Sequence, residues 1–571
     1  MSNRIFRNHI AIILAILFVA VVLRVYSLAS LPISPYWEEV AVAYDAYSLL
    51  QTGHDHHGNF LPVVALESFG DWKPSGYAYA QIPSIAVFGL HTFALRLPAA
   101  ISGVSLVILA GYVSWKLTQS MTVLTLAMAL TAISPWQIIF SRAGWEVMLA
   151  TALFSWGAAI VTRALLEMPK KSELLLILGC LSLSFSAYTY HAMRLLVPLF
   201  LVSIALFAIA TAHKNNKNEV KVVFKNCIIL ALVSFLTFIP FLRVWGSPEL
   251  GQRFAETSIF SDIEIIHRSN EAIKLSDNSF FARVAHHRYV EYSSVLFTNY
   301  LSHFSPKFLF ITGDVNPRHA TGYGGHLYGL DSILLIAGVL AGLSRVTHSK
   351  SSRPWAFFIC CLVFLSPIPA SVTNATPHAL RTLPMSLGLL ILVSVGAQQL
   401  LAVTTKKFER FFSQAIILTV AVLLYSLQPI AWWRHYTAVY SITSASQWQY
   451  GYRQLYEELA RLSETSPVSE IYVSRVYGRP AMYLWFYRQT PPSAVQEVNS
   501  IANKDQGEYL EFDRYKFFTK VSEIPIKPMI LAVSPNQLHD VVSLNKSLQV
   551  SSILRNPQGE EIWYILTQFA E

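Results

Sequence analysis

IAIILAILFVAVVLRV, residues Ile10–Val25, decides the class of this protein. The run is apolar except for Arg24, the residue before its last. Segments near 20 apolar residues are long enough to cross about 30 Å of hydrocarbon. Arg4 and Arg7 precede the run, but no small-residue cleavage site follows it, so it reads as a first transmembrane helix and not as a removable signal. Comparable runs recur along the chain. About eleven spans are expected, near residues 9–28, 95–117, 121–138, 147–165, 172–189, 195–212, 226–243, 328–345, 354–370, 383–403 and 413–431. Composition agrees: 53% of the 571 residues are hydrophobic and 13% charged, where a soluble domain carries about a quarter charged residues. Aromatic residues reach 13%, which suits a protein with two membrane interfaces to line.

Lysine and arginine set the expected orientation. Arg4, Arg7, Lys116, Arg163, Lys170, Lys171, Lys214, Lys217, Lys221, Lys225, Arg345, Lys350, Arg353, Lys406, Lys407 and Arg410 fall in one set of segments. The short segments of the other set hold only Arg142, Arg194 and Arg381. The positive-inside rule then puts the N-terminus in the cytoplasm. The same pattern accounts for the net charge of +9, so no nucleic-acid partner is implied. Tyr77 to Leu90 is apolar but too short to span, and reads as an interfacial or re-entrant helix. Inner loops are short. The outer segments near 32–94 and 244–327, and the tail from about 432, are long, and function is expected there. Within the tail, Gln447 to Leu462 reads as an amphipathic helix, and Glu470 to Ser474, Pro528 to Val533, Gln549 to Leu554 and Glu561 to Leu566 as strands. This alternation suggests a small extracytoplasmic α/β domain. The four cysteines, Cys180, Cys227, Cys360 and Cys361, all lie in apolar segments without metal-ligand spacing and read as core residues.

The first outer segment carries the densest chemistry. Trp37-Glu38-Glu39 opens a helix after the first span. Acids at a helix start are favoured by the dipole alone; alternatively one carboxylate faces a cavity and takes a proton from an acceptor hydroxyl or amine. Lys73 begins the short helix, where an ammonium can serve phosphate as a point charge or simply snorkel. His54, His56 and His57 would suit zinc only if a further ligand folded in. Asp55 reads as a carboxylate that caps local amides. Arg142, Tyr188, Tyr190, His191 and Arg194 sit at outer span ends. Asp314, Asn316, Pro317, Arg318, His319 and the glycine-rich Gly322–His326 precede the eighth span, and His378 and Arg381 the tenth. Singly each reads as an interfacial anchor. Together they put several cations on the membrane face of the two carboxylates, as a lipid phosphate headgroup requires.

The order WEE (Trp37–Glu39), AYSLLQTGHDHHG (Ala46–Gly58), LPVVALESFGDWKP (Leu61–Pro74) and AVFGLHTFALRLPAAISG (Ala86–Gly103) resembles the protein O-mannosyltransferase and aminoarabinose transferase family of the GT-C superfamily, in its bacterial branch. That branch has W-D-E-A, T-G-x-D-x-x-G, K-P and R-L-P in this order. The match is dense over residues 31–103, looser through Phe140–Arg142, Tyr188–Arg194, Gly313–Gly329 and Pro377–Pro384, and covers about two-thirds of the chain. The resemblance implies an α-helical multi-pass GT-C-like membrane domain over 1–431 and an extracytoplasmic α/β domain over 432–571. It implies inverting transfer of a sugar from a polyprenyl-phosphate donor to a protein, glycolipid or cell-wall acceptor. Glu38 falls on the position of the family's catalytic aspartate, one methylene longer; placement errors near 1 Å can cost about 100-fold in rate. Either the site is rebuilt around Glu38, or the carboxylate role shifts to Glu39, or activity is reduced; the first is expected, with Glu39 in an orienting role. Lys73, Arg318 and Arg381 are the implied phosphate ligands, with Asp55, Asp71, Arg142, Tyr190, Arg194, His319 and His378 as further substrate contacts. No cofactor is expected, a divalent metal being the alternative. The competing readings are a lipid or polysaccharide transporter, which should show internal repeats and intramembrane charges, and an inactive scaffold on the same fold.

Overall fold

The computed structural model describes residues 3–215, 217–408, 412–465, 470–499 and 501–568; Arg410 lies outside them. The chain divides into two compact units. One is helical and comprises Met1–Tyr26, Ala99–Ser141 and Glu146–His435. The other comprises Ser27–Pro98, Arg142–Trp145 and Tyr436–Glu571. The boundary expected near 431 is close to where the last piece of the second unit starts, but the first long segment belongs with the tail and not with the spans. Trp37–Thr52 explains why. It is apolar around most of its circumference and buries Val40, Ala41, Val42, Ala43, Tyr44 and Ala46; a helix apolar all round must be enclosed. The tail helices Pro480–Arg488 and Pro492–Asn499 pack against it.

The chain is a multi-pass membrane protein. A helix stands at each of the eleven expected positions. Among the described residues, eight helices are long and apolar enough to cross a membrane. Met121–Ile133 and Pro135–Ser141 make a ninth if counted as one span bent by 55°. The bend falls at Pro135, where proline removes a helix hydrogen bond. The other two positions carry the shorter apolar helix His9–Val25 and the helix Asp331–His348. Glycines set the closest approach in the bundle. A Cβ on Gly396 would lie 1.8 Å from the Leu334 carbonyl oxygen, and one on Gly338 would lie 1.9 Å from that of Leu392. The helices Asp331–His348 and Leu383–Phe408 therefore meet backbone to backbone, the contact that small residues permit in membranes. Arg24, fully buried, donates to the carbonyls of Ala132 at 3.0 Å and Thr131 at 3.2 Å. The long segment after Arg243 is not a plain loop: it forms the helices Pro248–Thr257, Ile263–Leu275, Phe280–Ala285 and Arg288–Ser302, the second and fourth of which join Ile259 in a small core with Ile265 and Tyr292.

The second unit is α/β. Its six-stranded sheet runs 511–512, 515–518, 471–474, 529–533, 561–568, 549–555. Ile471–Ser474 pairs in parallel with Tyr515–Phe518 and Met529–Val533, and the remaining pairs are antiparallel. Met529–Val533 is buried at every residue, as a continuous apolar central strand requires. Tyr472, Phe518, Leu531, Val533, Val541 and Leu566 form the core of one face. Gly76–Phe88 is a short helix with Pro83 inside it and is not among the candidate spans.

Candidate functional site

The two adjacent glutamates at the start of Trp37–Thr52 have opposite fates. Consecutive helix residues point about 100° apart, so one faces inward and the other does not. Glu39 is fully buried. Its Oε1 accepts from Arg96 Nε at 2.9 Å and from the Gly144 amide at 2.6 Å; its Oε2 accepts from Arg96 Nη2 at 3.1 Å and from the Tyr36 amide at 2.8 Å. Arg96, also buried, spends its other N–H groups on the carbonyls of Leu28, Pro32 and Ser34 at 2.8–3.1 Å. This bidentate pair ties the chain before the helix to Arg96, which lies inside the helix Thr92–Thr118, and Gly144 packs closely there, since a Cβ on it would sit 2.6 Å from Leu95 Cδ1 and 3.0 Å from Glu39 Oε1. Glu38 keeps 36% of its side chain exposed. Its Oε1 accepts from Lys73 Nζ at 2.8 Å, and the same ammonium lies 2.9 Å from Asp71 Oδ2. Lys73 comes from the hairpin Ala65–Ser68/Asp71–Pro74 and is buried.

Arg479, which the sequence reading missed, belongs to the same neighbourhood. Its guanidinium lies over the rings of Trp37 at 5.2 Å and Phe69 at 4.3 Å and donates to Glu508 Oε1 at 2.9 Å. Burial pushes it below its ordinary value, and Glu508 and Glu38 oppose that. The preceding Gly478 has φ +77° and packs so that a Cβ would meet the Trp37 ring at 2.4 Å. The Gly-Arg-Pro triplet opening a helix was the available signal.

The T-G-x-D-x-x-G loop is structural in its contacts. Asp55 Oδ1 accepts from the amides of His57 and Asn59, and its Oδ2 from the Asn59 side chain. His56 Nδ1 lies 2.5 Å from Asp45 Oδ1, both buried; burial lifts Asp45 to about 7 and lowers His56 to about 4. His57 meets Asn499 Oδ1 and His54 meets the Thr52 carbonyl. The three histidines thus look to three different partners. Arg142 is buried, donates to the Leu31 carbonyl at 3.1 Å and lies over the Tyr436 ring.

The helical unit holds the other named residues. Arg194 donates to the Ala187 carbonyl and covers the Phe241 ring. Tyr190 and Arg381 interact directly; burial raises the phenol to about 12 and lowers the guanidinium, each opposing the other's shift. Arg381 Nη1 also donates to Thr373 Oγ1. Arg318 is half-buried and meets Asn316 Oδ1. His319 and His378 converge on Asp314, which the sequence reading named but gave no role. Asp314 Oδ2 accepts from the Ala379 amide at 2.7 Å and lies 3.1 Å from His319 Nδ1 and 3.9 Å from His378 Nδ1. His303 and His326 serve as acceptors: His303 Nε2 from the His378 amide at 3.2 Å, His326 Nε2 from the Asp314 amide at 3.0 Å.

No family model matches the chain, and no curated protein matches it in sequence. Solved structures do. ArnT from Cupriavidus metallidurans bound to undecaprenyl phosphate superposes with a TM-score of 0.54 at 12% identity, covering 99% of this chain and 98% of that one. The chain has the GT-C fold. The archaeal oligosaccharyltransferase AglB from Archaeoglobus fulgidus, in complex with an inhibitory peptide and a dolichol-phosphate, gives 0.50 at 11% identity over 98% of this chain and 74% of that one.

Proposed function

We propose that this GT-C protein is a glycosyltransferase that takes a sugar from a polyprenyl-phosphate carrier and passes it, with inversion, to an acceptor on the outer face of the membrane. The N-terminus is then cytoplasmic and the α/β unit extracytoplasmic. The observation that carries the reading is the division of labour between Glu38 and Glu39. One carboxylate is sealed into a structural clasp; its neighbour is accessible and held in direction by Lys73. In the reaction an acceptor oxygen or nitrogen attacks the anomeric carbon, its proton passes to Glu38, and the bond from that carbon to the phosphate oxygen breaks with its electron pair going to the lipid phosphate. Proton removal of this kind contributes about 10²–10⁴-fold. Lys73 and Arg479 are the cations nearest to hand in the α/β unit for a phosphate or carboxylate, and Arg318 and Arg381 are the proposed lipid-phosphate ligands of the helical unit. The lipid phosphates in the ArnT and AglB structures support this donor class. To test it, purified full-length protein is incubated with individual polyprenyl-phosphate sugars and an envelope acceptor fraction, and free polyprenyl phosphate is followed by mass spectrometry. Accumulation from one donor supports the reading; none from any donor, with each shown to bind, refutes it.

A further inference from the structure

We propose that Asp314, His319 and His378 form a binding site for one divalent transition-metal ion of the zinc class, which fastens the loop 313–329 to the loop 372–382. The inference is independent of the proposed reaction. One ligand atom from each of the three side chains lies within 4.8 Å of the others. The shorter separations are 3.1 Å from His319 Nδ1 to Asp314 Oδ2 and 3.9 Å from His378 Nδ1 to the same oxygen. With metal–ligand distances near 2.0–2.1 Å, a tetrahedral ion holds its ligand atoms about 3.3 Å apart, so rotations of the side chains alone bring the trio into place. Two imidazoles and one carboxylate are a zinc-type donor set that leaves a fourth position open.

The surroundings fit a built site. The side chains of Asp314, His319 and His378 are 3%, 8% and 13% exposed. His378 Nδ1 is buried and makes no hydrogen bond, which is costly for a buried polar atom and is what a ligand atom awaiting an ion looks like. Supporting contacts orient the ligands, as outer-shell groups do at metal sites. The Ala379 and Asn316 amides donate to the Asp314 carboxylate, and the His378 amide donates to His303. The two imidazole rings lie 4.9 Å apart, and Phe140 closes the site beside His319. Burial also holds His378 neutral and its neighbours hold Asp314 ionised, the forms that bind metal. An ion would take the place of the hydrogen between His319 and Asp314, with the His319 proton carried on Nε2.

The chelator-stripped full-length protein is titrated with Co²⁺, read by visible d–d absorption, and with Zn²⁺ in competition with a chromogenic chelator. One ion per chain is expected, and His378→Ala and His319→Ala should each weaken Zn²⁺ binding about 100-fold or more. Binding that survives both substitutions undiminished would place the metal elsewhere and overturn the assignment, as would no binding to the wild type. A second readout needs no variant: Zn²⁺ should protect His319 and His378 of the wild type from diethyl pyrocarbonate at least tenfold more than it protects His54 and His57. Equal modification with and without Zn²⁺ contradicts the site.

Discussion

Replacing Glu39 with alanine should damage the fold far more than the same change at Glu38. Glu39→Ala leaves Arg96 as an uncompensated charge in a fully buried setting and strips the Gly144 and Tyr36 amides of their acceptor. Breaking a buried ion pair by removing one partner costs about 3–5 kcal/mol. Glu38 is more than a third exposed and its pairing with Lys73 is correspondingly screened, so its loss should cost at most about 1 kcal/mol. For a unit of this size each kcal/mol moves the melting temperature by about 2–4 °C. Glu39→Ala should therefore melt about 6–20 °C below the wild type and Glu38→Ala within about 4 °C. The assay is the fraction of detergent-purified protein that stays monodisperse on size exclusion after heating. Equal shifts for the two variants, or an unchanged melt for Glu39→Ala, would refute the assignment of Glu39 to structure and reopen it as the base.

Acidification should loosen the loops before the eighth and tenth spans. Burial lowers His303 to about 4 and His326 to about 3, and both accept a backbone amide that protonation would displace. Because the unfolded chain binds these protons nearer 6.5, stability should fall as pH drops from about 6.5 toward 4, by about 2 kcal/mol from His303 alone at pH 4.5; a melting temperature flat across that window contradicts it. In the bundle, Gly396→Ala should force two helices apart and lower the yield of monodisperse protein several-fold, whereas Gly342→Ala, whose Cβ meets nothing nearer than 3.9 Å, should be tolerated; equal yields would show that the close approach is dispensable. Lys73→Gln and Arg381→Gln should each weaken binding of a polyprenyl phosphate about tenfold or more with the melt little changed for Arg381→Gln, and unchanged lipid affinity in both variants removes them from the donor site.

Much of the helical architecture was legible because apolar length is a local signal: each of the eleven runs became a helix. Four tail strands also fell within about two residues of their expected ends, since β-branched and aromatic clusters such as Met529–Val533 mark themselves. The membership of the units was not legible. That Trp37–Thr52 packs on the tail depends on Tyr44 donating to the Thr490 carbonyl and Gln496 reaching the loop at Asp55, contacts more than 400 residues apart in sequence. The site was half legible. The adjacency of Glu38 and Glu39 was plain, but which one is buried depends on Arg96 and Gly144, 57 and 105 residues away. Lys73 was expected to meet phosphate, and the structure pairs it with Glu38 and Asp71. Arg479 was missed because the short strands and turns around it carry no periodicity.

Glycosyl transfer with Glu38 as the base is tested most directly by single-turnover assays of Glu38→Gln against wild type and Glu38→Asp, with the donor that the wild type consumes and with donor binding measured in parallel. Glu38→Gln keeps the size of the side chain but cannot accept the proton. It should bind donor within about threefold of wild type and lose transfer by about 10²-fold or more. Glu38→Asp should fall in between if the site is built for the longer side chain. Transfer by Glu38→Gln at the wild-type rate would contradict the account.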